Sequence, residues 1–153
     1  VPRYLIQSCN IITTLSQTDN KKYFVINKKC CSLSGLLTAW QIEKNQIFEL
    51  LMPKVRDDIL HFIVEYLVHH NGIIPKPVHK PLKSVIMEEI VDDIWDANFI
   101  NKMNKKTIFQ VILAANYMDI KSLVSLGCAK IATLIKGKTP EEIRNISVGN
   151  SKN

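Results

Sequence analysis

The sequence predicts an α+β fold: two short strands, then helices, with a third strand between. Three observations predict it. Residues 11–15 and 23–26 are rich in β-branched and aromatic side chains, and the stretch between them contains Asp19 and Asn20. Asparagine tolerates the left-handed backbone of a tight hairpin. From residue 55 onward the apolar positions recur at three- and four-residue steps instead. A short apolar run at 47–52, ended by Pro53, reads as a third, buried strand between the two regimes. Strands first and helices after are the pattern of an α+β chain.

The elements follow in order. Residues 32–40 place small residues and leucines at helical spacing. Val55, Ile59, Phe62, Ile63, Tyr66 and Leu67 line one side of an amphipathic helix. That helix should stop near His69-His70-Asn71-Gly72, where glycine takes the left-handed terminal position. Residues 73–82 hold Pro75, Pro77 and Pro81 and should be extended and mobile. Asp92-Asp93 and Trp95-Asp96 lead into the last helical block. Thr107 is the expected N-cap of a helix over 108–117, and Asp119 that of a helix over 120–136.

Composition narrows the function. The 153 residues are 46% hydrophobic, 22% charged and 7% aromatic, which is ordinary globular usage. No apolar run reaches the length of a membrane span, and the N-terminal residues lack the long apolar stretch of a signal peptide. A soluble intracellular protein is expected. Cys9, Cys30, Cys31 and Cys128 show no disulfide spacing and read as idle or buried thiols. The net charge of +6 would attract nucleic acid. Yet the lysines are dispersed, as in Lys21-Lys22, Lys28-Lys29 and Lys105-Lys106, with no basic run interleaved with aromatics.

The motifs that invite chemistry have plainer explanations. Lys136-Gly137-Lys138-Thr139 resembles the end of a phosphate-binding loop, but Ala132 stands where that loop needs glycine, and a helix leads in where it needs a strand. As a helix boundary the same residues are all accounted for. Gly137 ends one helix, Thr139 caps the next, Pro140 takes its first position, and Glu142 completes a capping box. His69-His70 and Cys30-Cys31 are zinc-ligand types, but adjacent residues on a regular element point apart. The paired carboxylates Glu88-Glu89 and Asp92-Asp93 have no His or Lys partner pattern and read as a solvated face. No catalytic residue, metal site or cofactor is expected.

The helix over 120–136 is different. One stripe comprises Ile120, Leu123, Gly127 and Leu134. A second comprises Val124, Cys128, Ile131 and Ile135, at steps of four, three and four. Together they exceed the apolar stripe of about 100° that a surface helix needs. Either the helix is central to its own core, or a partner covers one stripe. Helix geometry leaves both open.

Residues 112–121 read Ile-Leu-Ala-Ala-Asn-Tyr-Met-Asp-Ile-Lys, and residues 135–144 read Ile-Lys-Gly-Lys-Thr-Pro-Glu-Glu-Ile-Arg. These two blocks, with Trp95-Asp96 and Phe99 upstream, resemble the signature of the Skp1 family of SCF (cullin–RING) ubiquitin-ligase adaptors. The likeness runs nearly unbroken over 95–144. Upstream it thins to Met52-Pro53 with Val55, Ile59-Leu60, His69-His70, and Ser34-Gly35 with Leu37. The resemblance implies a BTB/POZ-like core, a small mixed sheet with helices, over 1–121, with 73–95 a mobile loop. It implies an F-box-binding helical extension over 122–153. It implies a non-catalytic adaptor, cytoplasmic and nuclear, that bridges a cullin to F-box substrate receptors. By the family's pattern Asn116 and Tyr117 touch the cullin. Ile108, Ile112, Val124, Cys128, Ile131 and Ile135 take the F-box, and four of these form the second stripe. Self-association is expected when no receptor covers that stripe.

The chain also departs from the family pattern. It is basic where members are acidic, and Lys76, His79, Lys80 and Lys83 lie in its proline-rich loop. After Arg144 the family continues into a further helix, while residues 145–153 are small and polar, so a truncated extension with weaker F-box binding is expected. An elongin-C-like adaptor is the alternative within this class. A basic nucleic-acid-associated protein is the alternative outside it.

Overall fold

Three short strands open the structure: β1 (Ile12–Ser16), β2 (Phe24–Asn27) and β3 (Phe48–Leu51). This computed structural model describes residues 12–16, 24–42, 48–51 and 55–147. The sheet order is β2-β1-β3. β1 and β2 run antiparallel, with Ile12 opposite Asn27 and Leu15 opposite Phe24. β3 runs parallel to β1, with Thr13 opposite Phe48 and Ser16 opposite Leu51. A parallel return needs a long connection. It contains α1 (Lys28–Cys31) and α2 (Gly35–Ile42). The turn between β1 and β2, with Asp19 and Asn20, lies outside the described residues.

These strands belong to the first of two compact units, Val1–Ile74 with Leu113–Lys121. Its longest helix, α3 (Asp57–His70), buries Ile59, Leu60, Ile63, Tyr66, Leu67 and His70. Asp57 and Asp58 in the first turn suit the positive end of the helix dipole. Two left-handed residues end it, Asn71 at φ 46° and Gly72 at φ 83°. Asn71 N–H closes on Leu67 O. Gly72 has a second reason to be glycine, since a Cβ there would lie 2.6 Å from the backbone oxygen of Lys29.

The second unit is Pro75–Ile112 with Ser122–Asn153. Its first residues, with Pro75, Pro77 and Pro81, form no helix or strand. Then come α4 (Met87–Ile90), α5 (Ile94–Asn101) and α6 (Lys105–Tyr117), whose residues from Leu113 on belong to the first unit. α7 (Lys121–Ile135) and α8 (Pro140–Ser147) follow. The segment read as a lead-in is therefore a helix. Asp93 caps α5 by accepting from Trp95 N–H at 2.9 Å. Trp95 stacks on Phe99 at 4.9 Å, and Lys102 sits over the Phe99 ring. Asn101 accepts from Lys130 of α7 and donates to Glu88 of α4.

Three expectations are corrected. The α+β class does not hold: from 55 to 147 every regular element is a helix, and the strands are four or five residues long. Ile26, the strand residue whose side chain is described, is buried. The described residues are predominantly helical, and the BTB/POZ-like description falls with the α+β class. Second, Thr107 does not cap α6. Asn104 does, its side-chain oxygen accepting from Thr107 N–H at 2.8 Å, which places the helix start one turn earlier. Third, Asp119 does not begin α7. It takes φ 54° and closes α6 instead.

Candidate docking surfaces

The exposed pair Asn116 and Tyr117 sits on the last turn of α6, in the first unit. That turn closes by a Schellman motif. Asp119 N–H donates to Asn116 O at 3.2 Å, and Ile120 N–H donates to Ala115 O at 2.8 Å. Ala115 and Ile120 are both buried, which is the apolar contact such a closure uses. The chain therefore turns sharply after Tyr117, a residue that stays 40% exposed. Leu113, one turn earlier, is 69% exposed. Phe109 is exposed one turn before that. The sequence reading missed both, although steps of four from Phe109 to Tyr117 were there to be seen.

In the second unit, α7 separates its two stripes. Leu123 and Gly127 of the first stripe are buried, with Leu126, Ala129 and Thr133 beside them. Ile120, just before the helix, is buried as well, while Leu134 is half-buried. In the second stripe Val124, Ile131 and Ile135 are half-buried and Cys128 is exposed. Gly127 lets α6 approach, because a Cβ there would collide with Ile112 Cγ1. Ile112 is half-buried at this contact. Ile108, the sixth residue of the expected set, is only 1% exposed and packs inside rather than offering surface.

The boundary between α7 and α8 is the capped turn read from the sequence. Gly137 takes φ 75°. Glu142 accepts from Thr139 N–H at 2.7 Å, and Thr139 Oγ1 accepts from Glu142 N–H at 3.3 Å. These bonds to Thr139, helped by the charge of Lys138, hold the Glu142 carboxyl below the ordinary carboxylate range. Lys136 donates to the Leu82 carbonyl at 2.8 Å. Lys136, Thr139 and Glu142 at this look-alike of a phosphate loop all make bonds within the fold.

Comparison with known proteins bears on the same residues. The family model described as "Skp1 family, dimerisation domain" matches residues 121–146, which include all of α7. An "SCF ubiquitin ligase complex protein SKP1a" of Dictyostelium discoideum is 35% identical over 139 residues, 85% of this chain and 79% of that protein. The chain belongs to the Skp1 family. It is also similar to an "S-phase kinase-associated protein 1 homolog" of Tetrahymena thermophila, 49% identical over 96 residues and 63% of this chain. An "E3 ubiquitin ligase complex SCF subunit sconC" of Arthroderma benhamiae is 39% identical over 93 residues and 61% of this chain. The aligned stretch covers 57% of the Tetrahymena protein and 56% of the Arthroderma one. Within the Skp1 family frame, the exposed end of α6 and the half-exposed stripe of α7 are the two surfaces to explain.

Proposed function

We propose that the chain is a non-catalytic adaptor subunit of an SCF-type ubiquitin ligase, joining a cullin to F-box substrate receptors. The names of its relatives as SCF subunits support this class of assembly. One observation carries the reading: α7 buries Leu123 and Gly127 of one apolar stripe and leaves the other half exposed. A helix with a single stripe would need no partner. The second stripe, Val124, Cys128, Ile131 and Ile135, with Ile112 of α6, takes the F-box segment. Asn116 and Tyr117 take the cullin. Apolar area covered in this way is worth roughly 25 cal/mol per Å² before the costs of association. Uncovered, the stripe promotes self-association.

Ile131→Asp tests the reading. On a partner surface the variant keeps its cooperative melt and its cullin binding, becomes more soluble, and loses F-box binding. In a closed core, an unpaired carboxylate costs several kcal/mol, enough to unfold a marginal domain. An unfolded Ile131→Asp, or a folded one with F-box binding intact, contradicts the assignment.

A further inference from the structure

The turn that presents Asn116 and Tyr117 is held from outside its own helix. Met118 O accepts from the hydroxyl of Ser34 and from Leu36 N–H, the latter at 3.2 Å. Asp119 O accepts from Gly35 N–H at 2.9 Å. Ser34 is fully buried, and its Oγ also accepts from Leu37 N–H at 3.2 Å, so it caps α2 with one lone pair while its proton goes to α6. The free N–H groups that begin α2 thus meet free carbonyls just past the end of α6, and each set satisfies the other. The two helix dipoles run head to tail across this contact.

Two residues at the contact break local preference together. Asp119 is left-handed without being glycine, and such a residue persists only where its surroundings fix it. Gly35, the first residue of α2, leaves room for Asp119 by having no side chain. A Cβ there would collide with the Asp119 carboxylate and lie 3.1 Å from the Asp119 Cβ. Rotating the carboxylate away relieves the first clash but not the second.

We infer that Ser34 and Gly35 are positioning residues: they clamp the Met118-Asp119 turn and so fix the angle at which Asn116 and Tyr117 meet the cullin. All of these residues lie in one compact unit. The inference rests on the proposed cullin contact of Asn116 and Tyr117, and the experiment separates the two.

The test uses the full chain, with calorimetric affinity for the N-terminal region of a cullin. F-box affinity and the thermal melt serve as controls. Tyr117→Ala probes the contact itself. Gly35→Val should lower cullin affinity about tenfold, the scale of one misplaced anchor, while F-box affinity stays unchanged. Adding Asp119→Gly removes the opposing Cβ and should restore most of that loss, which a general loss of stability would not do. Ser34→Ala, losing one hydrogen bond, should lower cullin affinity about fivefold, and it decides the matter if Gly35→Val does not fold. If Tyr117→Ala weakens binding while Gly35→Val and Ser34→Ala bind as the wild type, the clamp is wrong and the contact stands. If Tyr117→Ala binds as the wild type, the contact is wrong and the clamp has nothing to position.

Discussion

At the residue scale, the best-read feature of the chain is the α8 capping box. Thr139 and Glu142 are legible because a capping box is local: its spacing, residue types and bonds lie within four positions. The Glu142 carboxyl is depressed in the folded chain, so its contribution to stability is complete above its unfolded pKa. That contribution is lost as the pH falls through the depressed folded value. Replacing Thr139 with Ala keeps the backbone N–H that is the larger cause and removes only the hydroxyl, so the Glu142 titration, followed by carboxyl NMR, should rise part of the way towards the ordinary carboxylate range. A titration that does not move would show that the Thr139 hydroxyl plays no part. Asp119 shows the opposite case. Its left-handed backbone is set by Ser34, Gly35 and Leu36, some 84 residues away in sequence for Ser34 and Met118, and no local pattern reveals it. Tyr117→Ala belongs to this scale as well. Truncating an exposed aromatic anchor should cost about 2 kcal/mol or more of cullin affinity by calorimetry, with the melt unchanged.

At the element scale, periodicity finds helices well and finds their ends poorly. α3 is legible from Ile59 to Leu67 because its apolar residues keep the 3.6-residue period. α5 is not. Its eight residues bury Asp96 alongside Ala97, Phe99 and Ile100, so no clean stripe stands out. The start of α6 was misplaced because Thr107 and Asn104 are both good cap types, and only the bond from Thr107 N–H to Asn104 decides. Asn104→Ala should therefore destabilise the chain by about 1 kcal/mol in urea unfolding, and Thr107→Ala by clearly less. Equal effects would argue against this cap. The two stripes of α7 were both visible in the sequence, but which of them is buried depends on Ile112 approaching Gly127. Gly127→Val should overpack that contact and cost about 1–3 kcal/mol in the same measurement. A neutral Gly127→Val would mean the two helices have room to spare.

For the molecule as a whole, the fold class was the less legible part and the family the more legible one. The short β-branched runs before residue 52 do form strands, but they total few residues and did not deserve the weight of a structural layer. The helices after residue 55 set the class, because among the described residues α3, α5 and α7 each bury several side chains. Family membership was legible because its two blocks cover the end of α6 and the α7–α8 boundary, where caps and turns constrain residue types tightly. The central claim is that one chain holds two partners at once, on α6 and on α7. Light scattering after size-exclusion chromatography tests it directly, with the full chain mixed with a cullin N-terminal region and an F-box protein. A single ternary species is expected, which Tyr117→Ala and Ile131→Asp break at different partners. Two binary complexes that exclude each other, or no complex with either partner, would contradict it.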